Sequence, residues 1–387
     1  MEIYLVGGAV RDSLLGLTVY DRDYVVVGAQ PEQLVQLGYQ QVGTDFPVFL
    51  HPKSKEEYAL ARTERKAGTG YTGFICDFGP QVTLEDDLSR RDLTINAIAQ
   101  SNDGTLIDPY HGQADIAARS LRHVSDAFGE DPLRVLRVAR FAARFYHLGF
   151  SVAGETQALM QQMAASGELA TLTPERVWKE TEKALASDHP QVFFEVLRRC
   201  NALAVLFPEI DTLFANEAAN DSASQPSVAE HTLQALLHCA SISSDLACRF
   251  AVLCHKLTAD TISGLCKRIK VPTEHKELAL LASRWHMEVH QLSKPSVAQA
   301  KDILALFQAT DAWRRPERFA QLLLCAQAES GLSDYPQLIQ LWQWFNELKT
   351  ITAAPFLAQG ITGPAIGEAI TQARLQRLEQ ILEGAGD

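Results

Sequence analysis

Two aspartates separated by a single residue, Asp21 and Asp23, stand at the head of the apolar run Tyr24-Val25-Val26-Val27, nine residues after Gly7-Gly8-Ala9-Val10-Arg11-Asp12. A β-strand sends alternate side chains to opposite faces, so on a strand the two acids point the same way, about 7 Å apart. Two carboxylates on one face suit a hard divalent cation. Mg²⁺ takes one or two carboxylates together with substrate phosphates, and a two-metal arrangement activates an attacking hydroxyl while neutralising a leaving pyrophosphate. Glycines ahead of Arg11 let backbone amides approach those phosphates. Taken singly, Asp-x-Asp and Gly-Gly are common in loops and turns. Joined as strand (residues 3–6), glycine turn, Arg-Asp, the helical stretch Ser13-Leu14-Leu15-Gly16, then acid pair and strand, they read as a nucleotide-handling site.

The elements that must position these residues change character along the 387-residue chain, which is long enough for more than one domain. Up to about residue 110, β-rich runs (3–6, 24–27, 40–42, 48–51, 57–61 and 106–107) alternate with turns, predicting a mixed sheet with a few helices. Beyond about residue 126 apolar residues recur at three- and four-residue steps, and the remainder reads as almost all α. Residues 216–226 are polar and breaker-rich, the composition of a linker. The fold class is therefore α+β, a mixed-sheet head followed by helices. No apolar run approaches the ~20 residues that span a membrane, and Met1-Glu2 lacks a basic leader, so a membrane location and a signal peptide are not expected and a cytoplasmic one is. Seven scattered cysteines without a C-x-x-C pair read as reduced thiols in helices. Cys239, Cys248 and Cys254 near His238 and His255 fit none of the usual zinc spacings.

A net charge of −12 argues against a nucleic-acid partner, since phosphate binding rests on Lys and Arg. Between Arg119 and Arg144, however, Arg119, Arg122, Arg134, Arg137, Arg140 and Arg144 face only Asp126, Glu130 and Asp131, a basic strip that could equally be a solvated helix face. Residues 62–74 pack three cations, three glycines and two aromatics, either a loop that closes over a triphosphate or a terminal base, or an exposed hairpin. In Arg90-Arg91-Asp92-Leu93-Thr94-Ile95-Asn96-Ala97, Asp92 is placed to fix Arg91 by a charge-assisted pair, leaving Arg91 toward a triphosphate or ribose. A plain surface pair is the alternative, and Asn96 either bonds within the site or caps a helix. Asp131, Arg134, Arg137 and Arg140 recur every three residues, a slowly drifting stripe on one helix. A solvated arginine face, with Asp131 as a helix N-terminal acid, would give the same spacing.

Leu5-Val6-Gly7-Gly8-Ala9-Val10-Arg11-Asp12 with Asp21-Arg22-Asp23 resembles the N-terminal motif of class II tRNA nucleotidyltransferases, the bacterial CCA-adding enzymes of the DNA polymerase β superfamily. Bacterial poly(A) polymerases share that motif. Further blocks of the same family stand at Glu85-Asp86-Asp87-Leu88-Ser89-Arg90-Arg91-Asp92-Leu93-Thr94-Ile95-Asn96-Ala97 and Glu130-Asp131-Pro132-Leu133-Arg134-Val135-Leu136-Arg137-Val138-Ala139-Arg140. The resemblance implies a head at 1–125, a nucleotide-templating neck at 126–185, a body at 186–310 and a tRNA-binding tail at 311–387. It implies template-independent addition and repair of the tRNA 3′ CCA end from CTP and ATP, with release of pyrophosphate, and leaves room for tandem CCACCA on unstable tRNAs. Asp21 and Asp23 would be catalytic and hold Mg²⁺ in a two-metal site. Gly8, Arg11, Arg91, Asp131, Arg134, Arg137 and Arg140 would bind nucleotide, and the partner would be tRNA, held along its acceptor arm and elbow. Asp131 with Arg134 would act as an amino-acid template, because a carboxylate and a guanidinium complement the Watson–Crick edges of cytosine and adenine and fail against guanine and uracil. The loop at 62–74 would serve the final A addition.

Many bacterial relatives also carry a metal-dependent phosphohydrolase domain with a His-Asp doublet. Here Cys254-His255-Lys256-Leu257 puts lysine where the aspartate belongs, and His275, His286 and His290 look dispersed, so a degenerate domain without hydrolase activity is expected. Near the C-terminus Thr362 reads as the N-cap of a last helix carrying Gln372, Arg374 and Arg377. The alternatives are a poly(A) polymerase, a CC-adding partial enzyme and, in a different class, a non-catalytic RNA-binding protein. The basic-aromatic segment that marks the polymerases would fall at residues 42–49, which read Val-Gly-Thr-Asp-Phe-Pro-Val-Phe.

Overall fold

The computed structural model describes residues 1–42, 48–66, 74–215, 227–292 and 296–384, with two compact units meeting at Pro208 and Glu209. The centre of the A- or C-adding loop expected at 62–74, most of the polymerase-distinguishing stretch at 42–49 and the linker at 216–226 lie outside the described residues.

The first unit is built on β1 (Glu2–Val6), β2 (Asp23–Val27), β3 (Gln40–Val42), β4 (Val48–Leu50), β5 (Glu57–Leu60), β8 (Ala99–Gln100) and β9 (Leu106–Ile107), ordered β3-β4-β5-β2-β1-β8-β9. A separate hairpin pairs β6 (Arg62–Lys66) with β7 (Phe74–Phe78). In the main sheet β2 runs parallel to β5 and the other pairs are antiparallel. Val25 and Val26 face opposite ways, and each is buried in its own core cluster, one with Val6, Ala61, Leu88 and Ala99, the other with Leu34, Phe49, Tyr58 and Leu60. A strand buried on both faces needs a continuous apolar run rather than an alternating one, which is why Tyr24 to Val27 carries no polar residue. Each such valine contributes roughly 1.5–3 kcal/mol by leaving water.

The expected strands form with edges shifted by at most one residue, but the helix after the glycines does not start at Ser13. It is α1 (Gly8–Leu14), with Gly7 at its N-cap. The short α2 (Pro31–Gln36), α3 (Leu84–Ser89) and α4 (Gly112–Ala117) complete the head. The helical part of the first unit follows: α5 (Leu133–Phe145), α6 (Gly154–Ala165), α7 (Pro174–Leu185), α8 (Gln191–Arg199) and α9 (Ala202–Leu206), with β10 (Ser120–Leu121) and β11 (Ser151–Val152) pairing in parallel beside them. Helix α5 packs against α7 and α8, burying Val135, Leu136, Val138, Ala139, Phe141 and Phe145. Its arginines are thereby left on the remaining face.

After α10 (Pro208–Asp211) the second unit is helical throughout its described residues: α11 (Val228–Ile242), α12 (Leu246–Cys254), α13 (Ala259–Arg268), α14 (Thr273–Gln291), α15 (Ala300–Ala309), α16 (Pro316–Ser330), α17 (Pro336–Lys349), α18 (Ala354–Ala358) and α19 (Ala365–Gly384). Helix α19 begins three residues after Thr362, so Thr362 is not its cap; Gly363, at φ 64°, turns the chain into it instead. Cys76 sits on β7, contrary to the all-helical expectation, and all seven cysteines are free thiols. No helix among the described residues is long and apolar enough to cross a membrane.

Helices α11, α12, α14 and α16 pack together and close around one buried carboxylate. Glu329 accepts from Lys256 Nζ at 2.5 Å and pairs with His290 Nε2 at 3.0 Å, while His255 Nε2 lies 3.3 Å away. Burial alone would raise the Glu329 pKa, but these partners overcome it and hold the carboxyl well below the usual range. His286 donates from Nδ1 to the Ala282 carbonyl, which leaves Nε2 to accept from Lys256 at 3.3 Å. Burial lowers the pKa of His286 and of His231, so both stay neutral in the fold and protonate readily when unfolded. An unfolded state that binds more protons gains on acidification, at up to about 1.4 kcal/mol per pH unit per group, less for the half-buried His231. Urea unfolding should therefore show stability falling as pH drops through 6.5, with a shallower slope in a protein carrying His231→Gln and His286→Gln. Equal slopes would mean that the cluster plays no part in the pH response.

Candidate nucleotide-binding and catalytic site

The ends of the interior strands β1, β2, β4 and β5, together with α5, border a cavity of about 740 Å³ lined by nine arginines (Arg11, Arg62, Arg90, Arg91, Arg134, Arg137, Arg140, Arg144, Arg176) and four acids (Asp23, Glu57, Asp92, Asp131). Three more acids, Asp12, Asp87 and Glu180, stand behind the arginines as ion-pair partners. On a chain of net charge −12 the cavity is thus locally cationic, the environment a polyphosphate requires. The strip expected from Arg119 to Arg144 divides. Arg134, Arg137, Arg140 and Arg144 line the cavity, whereas Arg122 turns to Asp115 and Glu155, and Arg119 covers the Phe150 ring.

Asp23 opens β2 and lines this cavity. Asp21 precedes the strand and, with Asp23, Tyr20, Lys55 and Glu57, lines an adjoining cleft of about 780 Å³, so the acid pair is not carried on a strand as the spacing suggested. Parallel pairing of β2 with β5 sets Glu57 directly beside Asp23. Glu57 is thereby a third acid on the wall shared by both cavities, one that sequence reading missed because strand pairing partners are not written in either strand. The Asp23 pKa is raised, chiefly by burial and further by the charge of Asp21, with Arg91 opposing. Oxygen donors that repel one another in this way are suited to a hard divalent cation, which would relieve the repulsion.

Gly7 takes φ 70°, and a Cβ there would meet Arg91 Nη1 at 2.8 Å, so the close approach belongs to Gly7 while Gly8 is the first helical residue beside it. Arg11 is buried: Nε donates to Asp12 at 2.8 Å, Nη1 to Asn96 Oδ1 at 2.5 Å, and the guanidinium lies 5.2 and 5.0 Å from the Phe141 and Phe145 rings. Burial lowers its pKa, with Asp12 opposing.

Asp92 does not fix Arg91. Arg91 pairs with Asp87 at 3.1 Å, its neighbour one helical turn back, and its Nε is buried with no hydrogen-bond partner among the described residues. Asp92 instead accepts from Arg137 at 2.7 Å and from Asn96 Nδ2 at 2.9 Å, which places Asn96 within the site and not at a helix cap. Arg137 prevails over burial in keeping Asp92 ionised, and Asp92 in turn raises the Arg137 pKa.

Asp131, Arg134, Arg137 and Arg140 all reach the cavity, but only the arginines ride on α5. Asp131 is extended (φ −115°, ψ 108°) just before the helix, and its Oδ1 accepts from the Leu133 amide at 3.0 Å. Arg134 donates to the carbonyls of Ala127 and Arg90. Arg140 pairs with Glu180 and lies 4.1 Å from the Phe141 ring, its pKa lowered first by burial. Arg176 and Glu180, which sequence reading passed over, are one turn apart on α7. Arg144 ties to Asp12 at 2.9 Å.

Residues 3–122 match the model of the poly A polymerase head domain, and residues 149–214 match one described as a probable RNA and SrmB-binding site of polymerase A. The whole chain has the fold of the CCA-adding enzymes. It resembles a CCA-adding enzyme solved with ATP (21% identity, TM-score 0.68, 97% of this chain and 86% of that one). A second, an apo form of a CCA-adding enzyme, matches at 21% identity and TM-score 0.67 over 98% and 88% of the two chains. The Thermotoga maritima CCA-adding enzyme solved with tRNA matches at 20% identity and TM-score 0.62 over 99% and 90%.

The grouping of His, Cys, Asp or Glu donors found within 4.8 Å of one another among the described residues lies elsewhere, at His231, His255 and Glu329, and contains no cysteine. His255, His286 and His290, dispersed in sequence, converge because α12 and α14 pack side by side. Lys256 occupies the same carboxylate oxygen that His255 approaches.

Replacing Gly7 by alanine strains a left-handed residue by about 1–2 kcal/mol and pushes on Arg91. We expect Gly7→Ala to lower the urea midpoint and to weaken binding of a nucleoside triphosphate, read by calorimetry, whereas Gly16→Ala, also at positive φ but with open space around it, loses stability alone.

Proposed function

We propose that this chain adds and repairs the 3′-terminal CCA of tRNA from CTP and ATP, releasing pyrophosphate, with Asp21 and Asp23 as catalytic acids and Mg²⁺ as cofactor. The observation that carries the reading is the cavity in which the Asp23 and Glu57 wall faces the Asp131 to Arg140 stripe. The head domain explains the acids, and the likeness to proteins solved with ATP and with tRNA supports both substrates.

Asp21 and Asp23 would hold Mg²⁺, with Glu57 beside them, and when bound it would lower the pKa of an attacking hydroxyl and neutralise the leaving group. The protein supplies the rest by position and charge. Arg91, with its unpartnered Nε, meets phosphate oxygens. Gly7 lets the backbone come close, and Gly8 continues that edge into α1. Arg11 is engaged on every side, so its part is to fix the floor on which α5 rests. Arg137 and Arg140 present cation along the nucleotide. Asp131 and Arg134 read its base edge. The second cleft, bounded by Asp21, Asp23 and Glu57, lies on the other side of the acid wall and would receive the RNA 3′ end. The division into head, neck, body and tail at residues 125, 185 and 310, and a cytoplasmic location, belong to the same proposal.

Incubating a tRNA transcript lacking CCA with Mg²⁺, CTP and ATP and sequencing its 3′ ends should show addition that stops after CCA. Long A tracts would assign the chain to poly(A) polymerase, CC alone to a partial enzyme, and no extension would leave an RNA-binding protein. Asp23→Ala should reduce addition at least 1,000-fold, and Asp21→Ala likewise.

With Lys256 on Glu329, the cluster in the second unit would lack phosphohydrolase activity, since an ammonium repels the cation that such chemistry needs. Purified protein with added divalent metal should release no phosphate from p-nitrophenyl phosphate; steady release would overturn this.

A further inference from the structure

Asp131 stands just before α5, and base reading requires its carboxylate in one place, so the partners of that carboxylate decide its use. Its partner is Arg176, whose Nη2 lies 2.9 Å from Oδ2 and 3.2 Å from Oδ1. The Leu133 amide takes Oδ1 as well. The two side chains are 21% and 20% exposed, neither sealed in the core nor solvated, and both line the cavity.

Helix α7 holds Arg176 firmly. Pro174 starts the helix, and Val177, Trp178, Thr181, Ala184 and Leu185 bury its inner face. One turn beyond Arg176, Glu180 pairs with Arg140. The same helix therefore steadies both ends of the stripe on α5, although only Arg176 touches the acid that reads the base.

We propose that Arg176 is a positioning residue for base choice, holding both oxygens of Asp131 as hydrogen-bond acceptors so that the site selects cytosine and adenine, which carry an amino group at C4 or C6, over uracil and guanine, which carry an oxygen there. The proposal rests on the transferase reading above. A guanidinium has five donors, no acceptor and a permanent charge. Arg176 Nη2 spans both oxygens and holds the carboxylate in place. The carboxylate then accepts from N4 of cytosine or N6 of adenine and faces O4 of uracil or O6 of guanine lone pair to lone pair, an unpaired contact in a semi-enclosed site. Without Arg176 the carboxylate is free to swing away from that position. A helix brace with no part in base choice would instead cost all four nucleotides equally.

The test uses the full chain carrying Arg176→Met, which keeps the length of the stem, and Arg176→Lys, which keeps charge and loses the fork. CTP and UTP are compared on tRNA lacking CCA, and ATP and GTP on tRNA ending in CC. In Arg176→Met the kcat/KM ratios of UTP to CTP and of GTP to ATP should rise at least ten-fold, with the KM for CTP rising more than kcat falls. Arg176→Lys should lie between that variant and the parent. In an Asp131→Asn background, Arg176→Met should change the ratios no further, since the acid it positions is gone. Unchanged ratios in either variant, while the parent still adds CCA, would overturn the proposal and leave the transferase reading standing. A parent that extends no tRNA would overturn both.

Discussion

A single carboxylate with almost no access to solvent, Asp92, joins the parts of the first unit on which the candidate site depends. It accepts from its own neighbour's amide at Leu93, from Asn96 four residues on, and from Arg137 forty-five residues on. Through Asn96 it reaches Arg11, and through Arg11 the helix that follows the glycine turn. Losing one partner of a fully buried pair costs about 3–5 kcal/mol, and less here, because Arg137 is 36% exposed and Asp92 keeps Asn96 and the Leu93 amide. Three motifs that are separate in sequence are therefore energetically one, and the strand ends cannot move relative to α5 without breaking charged hydrogen bonds.

The same economy of charge recurs around the cavity. Nine arginines would repel one another if unpaired, yet Asp12, Asp87, Asp92, Asp131 and Glu180 each take one or two of them. The pairing fixes guanidinium planes in advance of any ligand, so that less side-chain entropy is lost on binding. It also sorts roles. Arg11 is walled in by Asp12, Asn96, Phe141 and Phe145, whereas Arg91 is tied to Asp87 and lines the cavity.

In the second unit an ammonium from Lys256 sits on the carboxylate of Glu329, with four histidines nearby. Electrostatically the lysine does for the folded chain what a bound cation would do: it balances a buried carboxylate. Burial lowers the pKa of His231 and His286 in this cluster, which ties its stability to pH.

Sequence alone determined β1 to β5 and β9 of the head but not β6, β7 or β8, and it determined the switch to helices and the motifs carrying Asp21, Asp23, Gly8, Arg91 and the Asp131 to Arg140 stripe. Those are properties of local spacing and residue type, and period two or period 3.6 is written along one segment. Pairing was decided only in three dimensions. Adjacency suggested Asp92 for Arg91, but a helical turn gave Arg91 to Asp87 and freed Asp92 for Arg137. Glu57 became an acid of the site through the parallel register of β2 and β5, and Arg176 through the packing of α7 on α5. His286 and His290 looked scattered, yet they meet His255 at Glu329 because a helix pair brings residues together by contact and not by period. A charge finds its partner by distance in the fold, which no single segment of the chain records.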